Sequence, residues 1–104
     1  MSELREQIEN VIQSEDVALF MKGTPQFVMC GNSSRALEAL RQAGAPVTTV
    51  DVLPDPRIRQ ELSAISSWPT IPQVFVRGEL ERTLEEKLGP DYRATAPERV
   101  IAVG

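Results

Sequence analysis

KGTPQFVMCGNSS, residues 22–34, holds the only cysteine of a chain of 104 residues. Cys30 follows a predicted strand and loop and directly precedes a predicted helix. Backbone N–H groups and the helix dipole favour a thiolate over a thiol at such a place, and the Lys22 ammonium would add positive charge to the same loop. The alternative is an inert thiol, because free cysteine is among the most buried residue types. In that case Lys22 is simply an exposed lysine at a strand end.

Apolar periodicity on both sides of this stretch predicts helices that alternate with strands. Strands are predicted at 17–21, 47–52 and 73–76, and helices at about 4–12, 31–43, 55–65 and 80–88. Asp55 and Pro56 have the residue types of an N-cap and a first helical position, and Gly44 suits the position after a helix. This order favours an α/β domain whose sheet contains at least one right-handed parallel crossover.

The length of the chain predicts one domain, which we place at residues 1–89, followed by a C-terminal tail at 90–104. Within the tail, residues 100–103 are apolar and β-branched enough to add an edge strand. Residues 80–88 carry leucines at helical spacing, and their acidic side chains predict a solvated helix face.

Composition excludes several classes of function. The net charge is −4 with acids and bases mixed, so no basic face is predicted and a nucleic-acid partner is not expected. No apolar run approaches the roughly 20 residues of a membrane span, and the charged N-terminus lacks a signal core, which predicts a cytoplasmic protein. The chain has one cysteine and no histidine. An internal disulfide, Cys-His or Ser-His catalysis and histidine metal sites are therefore excluded.

A second candidate site precedes the third predicted strand. Pro72 follows Thr70 and Ile71 in a loop that already contains Pro69. A cis bond at Pro72 would turn the Ile71 backbone outward and leave its N–H and C=O available to an extended peptide. The alternative is an ordinary trans proline at the start of a strand. The sequence alone leaves both open.

Four segments together resemble the monothiol glutaredoxins, which are thioredoxin-fold proteins marked by a Cys-Gly-Phe-Ser motif. The segments are KGTP at 22–25, CGNS at 30–33, DPRIRQ at 55–60 and WPTIPQ at 68–73, and the similarity extends over roughly residues 1–80. The resemblance implies a thioredoxin-like, glutaredoxin fold with a mixed sheet flanked by helices. It also implies that the protein binds glutathione and a shared [2Fe–2S] cluster, delivers the cluster to client proteins, and pairs with BolA-type proteins.

The resemblance also implies a role for each matching residue. Cys30 would be the catalytic thiolate and the cluster ligand. Lys22 and Arg59 would pair with the glycine-end carboxylate of glutathione, and the Ile71 backbone before Pro72 would pair with its cysteine part. The groove between them would be shaped by Trp68 and Thr70.

Counting ligands limits what one chain of this kind can do. A [2Fe–2S] centre takes four thiolate-type ligands, so one cysteine per chain requires two chains and two glutathione molecules, or a partner chain. The expected holo form is thus a homodimer bridged by the cluster. A single cysteine also cannot resolve its own mixed disulfide, so an outside thiol would be needed and oxidoreductase activity would be weak at most.

Two departures from the family pattern matter. Asn32 stands where the motif has phenylalanine, which removes an apolar cover beside the sulfur and predicts weaker cluster retention. After Gly78 the chain lacks the Gly-Gly-Cys/Ser-Asp turn that grips the γ-glutamyl end of glutathione. One alignment deletes a strand, the turn and a helix, which truncates the C-terminal part of the fold; the other places Leu84 and Glu85 at the Cys/Ser-Asp position. We expect the deletion.

These departures define the alternative function. A thioredoxin-fold module with a degraded glutathione site, and with no cluster or redox activity, would act by binding other proteins. A third interpretation, a glutathione-dependent disulfide reductase, is the least favoured because half of its site would be missing.

Overall fold

The computed structural model describes residues 3–44, 47–81 and 98–104. In these residues the helices are α1 (Glu3–Ser14), α2 (Gly31–Gln42) and α3 (Pro56–Ser66). The strands are β1 (Val17–Met21), β2 (Gly23–Thr24), β3 (Phe27–Val28), β4 (Val47–Asp51), β5 (Gln73–Val76), β6 (Glu79–Glu81) and β7 (Arg99–Val100). None of the described helices has the length and apolar character that a bilayer crossing requires.

The central sheet is mixed and has the strand order β6-β5-β1-β4-β7. Strand β1 pairs parallel with β4 and antiparallel with β5, and β6 continues the antiparallel side. Strands β2 and β3 form a separate small hairpin directly before Cys30. The predicted α/β class with a parallel crossover is therefore confirmed, since α2 connects the parallel strands β1 and β4.

Helices cover both faces of the sheet. Helices α1 and α3 pack on one face around Phe20, whose ring meets that of Phe75 edge-on at 5.7 Å. Helix α2 packs on the other face through Leu37 and Leu40. Successive residues of β1 alternate between these two clusters, as the pleat of a strand requires, and all five are buried.

The predicted helix ends hold where the structure describes them. The Asp55 carboxylate caps α3 by accepting a hydrogen bond from the Arg57 N–H at 2.9 Å, and Pro56 is the first helical residue. Gly44 follows α2 with φ 75°, the left-handed backbone conformation that glycine adopts without penalty.

The C-terminal prediction is wrong in its first part. Leu80 was expected to begin a helix, but it lies in β6 and pairs with Phe75. The strand after Gly78 is therefore present rather than deleted, and the β5 edge is paired. Leu84, Glu85 and the rest of the predicted helix lie outside the described residues, as does the predicted boundary between domain and tail.

Residues 98–104, which the sequence analysis assigned to a tail, contribute to the sheet. Strand β7 pairs parallel with β4, so an edge strand forms near the predicted position but on the edge opposite β5. The Ile101 N–H donates to the Thr49 carbonyl at 2.9 Å, and Ile101 and Val103 pack against the core beneath α1 and α3. This segment therefore covers the β4 edge of the sheet.

Candidate functional site

Cys30 is the N-cap residue of α2. Its backbone is extended, with φ −151° and ψ 131°, and its carbonyl accepts the Ser34 N–H at 3.0 Å. The side chain is partly exposed. The pKa of the Cys30 thiol is lowered, first by the Ser33 backbone N–H and then by that of Asn32, with smaller contributions from the Ser33 hydroxyl and the Lys22 ammonium. Unpaired N–H groups at the start of a helix thus stabilise the thiolate.

The hairpin of β2 and β3 positions Cys30. The Met29 N–H donates to the Lys22 carbonyl at 2.9 Å, which closes the hairpin one residue before the cysteine. Gly23 has φ 98°, and a Cβ there would overlap the Phe27 carbonyl oxygen. Only glycine suits this position, because it needs both the left-handed backbone and the missing side chain.

Ser33 and Asp51 hold the backbone at Lys22 and at the next residue, Gly23. The Ser33 side chain is buried, and its Oγ accepts the Lys22 N–H at 3.1 Å, which leaves the hydroxyl proton to face the cysteine sulfur. Asp51 Oδ1 accepts the N–H groups of Gly23 and Leu53, each at 2.9 Å. The lysine is therefore held between α2 and the end of β4.

The loop from residue 67 to 72 forms the other side of the site. The peptide bond between Ile71 and Pro72 is cis, which decides between the two alternatives that the sequence left open. Within the described residues, no hydrogen bond involves the Ile71 N–H or C=O. The loop is held from outside, since Arg59 Nη2 donates to the Pro69 carbonyl at 3.3 Å and Gln73 Nε2 donates to the Thr70 carbonyl at 3.0 Å.

Strand pairing brings these parts to one end of the sheet. Phe20 near the end of β1 is opposite Gln73 at the start of β5, so the residues after β1 and those before β5 meet at the same end of the sheet. Lys22, Cys30 and the Ile71–Pro72 peptide therefore lie at this end of the sheet. Arg59 joins them through its bond to the loop. Thr70 is exposed there, and its carbonyl accepts from Gln73.

Comparison with known proteins then identifies the family. The sequence model described as "Glutaredoxin" matches residues 17–81, which include both sides of this site. The chain belongs to the glutaredoxin family. Glutaredoxin 4 of Haemophilus ducreyi is 45% identical over 75 residues, which are 72% of this chain and 70% of that protein. A Synechocystis protein named as an uncharacterized monothiol glutaredoxin, ycf64-like, is 43% identical over 77 residues, or 74% of this chain and 72% of that one.

Solved structures agree. The solution structure of a monomeric truncated mutant of Trypanosoma brucei 1-C-Grx1 is 38% identical, with a TM-score of 0.69 over 82% of this chain and 77% of that chain. A crystal structure of a buckwheat glutaredoxin–glutathione complex superimposes with a TM-score of 0.65 over 74% of this chain and 68% of that chain. At 22% identity, this second structure supports the fold alone.

Sequence reasoning missed three residues that build the site of this glutaredoxin. Ser33 lies in the Cys30 motif and Gln73 directly follows Pro72, so their places in the motifs were the available signal. Asp51 carried no signal for the site, because its contact to Gly23 depends on how separate segments of the chain meet. All three act through hydrogen bonds to backbone groups, and a pattern of side-chain types does not show such bonds.

Several large apolar side chains of this glutaredoxin are exposed on the segments that build the site. Large apolar residues that remain exposed in the described part of the chain are Phe27, Met29, Leu53, Trp68 and Val100. All but Val100 lie in the hairpin before Cys30 or in the loops that meet it. The described residues contain no group of three or more His, Cys, Asp or Glu that could hold a metal ion. A metal bound at Cys30 would therefore need ligands from beyond the described residues.

Proposed function

We propose that this glutaredoxin binds glutathione and, as a homodimer, a bridging [2Fe–2S] cluster that it transfers to client proteins in the cytoplasm. The observation that supports this most directly is the position of Cys30. Its thiolate is stabilised at the start of α2. At the same end of the sheet, the Ile71 main chain has no hydrogen-bond partner among the described residues. A thiolate beside a backbone N–H and C=O that can still form hydrogen bonds suits a small extended peptide that carries its own thiol.

The described residues offer one half of a glutathione site. Lys22 and Arg59 are the cations for the glycine-end carboxylate, and Arg59 keeps further N–H donors besides the one bound to the Pro69 carbonyl. The N–H and C=O of Ile71 would pair with the cysteine part of the peptide, beside Thr70 and Pro72. The sequence after Glu81 has no Gly-Gly pair for the γ-glutamyl end. Each charge-assisted hydrogen bond lost there costs about 1.5–3 kcal/mol, tenfold or more in affinity.

The donor set of the chain fits a cluster only in a shared form. A [2Fe–2S] cluster needs four thiolate ligands, and Cys30 is the one cysteine thiolate that each chain has. Two copies of Cys30 and two glutathione thiols complete the set. A BolA-type protein is the alternative second chain. Disulfide reduction is a lesser role, because Cys30 would need an outside thiol to release it from a mixed disulfide.

A second candidate is a protein-binding module with no cluster or redox activity. The exposed side chains of Phe27 and Met29 before the cysteine, and of Leu53 in the turn that Asp51 joins to the same hairpin, favour it, because exposed apolar residues mark interaction sites. This candidate predicts that Cys30→Ser leaves partner binding intact.

Two measurements on the same protein test these functions. Calorimetric titration with glutathione should show binding to the isolated chain. Anaerobic reconstitution with iron, sulfide and glutathione should give a brown dimer in wild type, while Cys30→Ser should stay colourless and monomeric. A wild-type chain that remains colourless and shows no heat of glutathione binding would exclude the first function. If it still captured partners, the binding module would be supported.

A further inference from the structure

The Gln73 side chain holds two carbonyls of the site loop from inside the protein. Gln73 is the first residue of β5 and is only 2% exposed. Its Nε2 donates to the Trp68 carbonyl at 2.7 Å and to the Thr70 carbonyl at 3.0 Å. Both N–H groups of the amide are therefore used on backbone acceptors on either side of Pro69.

The orientation of this amide is determined by its partners. The Oε1 atom is buried and has no hydrogen-bond partner among the described residues, while Nε2 has two. Rotating the amide by 180° would set an oxygen against two carbonyl oxygens and leave both carbonyls unpaired. Each unpaired buried acceptor is unfavourable, because it has lost its hydrogen bonds to water without a replacement. The structure accepts one such atom in order to pair two.

The bond to Thr70 controls the backbone of the next residue. The Thr70 carbonyl and the Ile71 N–H belong to a single planar trans peptide, in which they point in opposite directions. Because Gln73 binds the carbonyl from the buried side, the Ile71 N–H must point away from that side. This N–H is also one of the backbone groups that have no partner among the described residues.

We propose that Gln73 is the positioning residue that aims the Ile71 N–H at an extended thiol peptide bound along the loop. The proposal rests on the proposed function, namely that glutathione binds at the end of the sheet where Cys30 and this loop meet. Gln73 does not touch the peptide, and it acts through the peptide plane between Thr70 and Ile71. Arg59 holds the intervening Pro69 carbonyl at 3.3 Å, so three consecutive carbonyls are each held by a side-chain donor.

The test uses two substitutions and one control in the full chain. Gln73→Met removes both donors without adding charge and keeps an apolar side chain of similar length, so it should fold. Gln73→Glu keeps the shape but presents only acceptors when ionised. Gln42→Glu, on the exposed end of α2, makes the same change of charge away from the site. Glutathione affinity is measured by calorimetry and the Ile71 amide by nuclear magnetic resonance.

Both Gln73 variants should bind glutathione at least tenfold more weakly and should shift the Ile71 amide resonance, while Gln42→Glu changes neither. The alkylation rate of Cys30 at neutral pH should stay within twofold of wild type, because the donors to the sulfur come from α2. Wild-type glutathione affinity in Gln73→Met, or an unmoved Ile71 resonance, would overturn the proposal. If wild type itself does not bind glutathione, the proposed function fails, and the Ile71 resonance alone decides whether Gln73 sets this peptide plane.

Discussion

Cys30 shows how a few backbone atoms determine the chemistry of one residue. The lowered pKa of its thiol comes first from the N–H groups of Ser33 and Asn32, and the Lys22 ammonium contributes least. The position of the cysteine before α2 therefore matters more than its charged neighbour. Ser33 has two roles, because its N–H faces the sulfur and its Oγ accepts the Lys22 N–H.

Replacing Ser33 with alanine should raise the pKa of the Cys30 thiol, yet leave it below that of an unperturbed cysteine. The variant loses the hydroxyl but keeps the backbone N–H, which has the larger effect. The rate of iodoacetamide alkylation measured across pH should show the midpoint move upward from that of wild type. Ser34→Ala is the matched control, because Ser34 is exposed and its side chain makes no described hydrogen bond. An unchanged midpoint in Ser33→Ala would contradict this assignment.

At the scale of elements, the β2–β3 hairpin is a rigid connection rather than a loose loop. It is tied to β4 through Asp51, and the Met29 N–H closes it on the Lys22 carbonyl. The backbone of Gly23 passes so close to Phe27 and Met29 that no side chain fits. The placement of the cysteine therefore depends on tight packing just before it.

Gly23→Ala should lower the free energy of unfolding by about 1–3 kcal/mol, because alanine is strained at φ 98° and its Cβ would overlap the Phe27 carbonyl oxygen. Gly31→Ala is the matched control. A Cβ at Gly31 meets nothing within 4 Å, and the change should alter stability by less than about 0.5 kcal/mol. Urea unfolding monitored by circular dichroism measures both. Equal stability of the two variants would show that the hairpin tolerates a side chain at Gly23.

At the scale of the whole molecule, residues 98–104 join distant parts of the chain. Arg41 at the end of α2 binds the Glu98 carboxylate with two hydrogen bonds of 2.6 and 3.0 Å, and Arg99 pairs with Glu15 after α1. Strand β7 begins at Arg99, directly after Glu98, and covers the β4 edge. An uncovered edge strand exposes backbone groups that can pair with other chains.

The attachment of residues 98–104 should weaken in acid. Hydrogen bonding to Arg41 lowers the pKa of Glu98 in the folded protein. The stabilisation is therefore full above the ordinary glutamate pKa and is lost as the pH falls through the folded value. Because the pair is exposed, the effect is about 0.2–1 kcal/mol. The protection factor of the Ile101 amide, measured by hydrogen exchange, should fall severalfold over this range.

Glu98→Gln should show reduced protection of the Ile101 amide already at neutral pH and no such acid step. Glu6→Gln, an exposed change on α1, should behave as wild type. Equal protection in wild type and Glu98→Gln at neutral pH would mean that β-pairing and packing alone hold this segment.

The sequence by itself determined the features that depend on neighbouring residues. Apolar periodicity placed α1, α2, α3, β1 and β5, and the types of Asp55 and Pro56 predicted the start of α3, since helix ends are satisfied locally. The motif segments also indicated the family, and Cys30 was correctly placed at the start of a helix.

Only the tertiary structure decided the features that depend on which backbone groups pair with one another or with a side chain. Leu80 has leucines at helical spacing after it, yet pairing with Phe75 places it in a strand. The isomer at Pro72 and the bonds of Gln73 to its own loop likewise depend on backbone geometry that residue types do not show, and the bond from Gly23 to Asp51 arises where separate segments meet. Local propensity is worth a fraction of a kcal/mol per residue, so a buried backbone group that needs a partner overrides it.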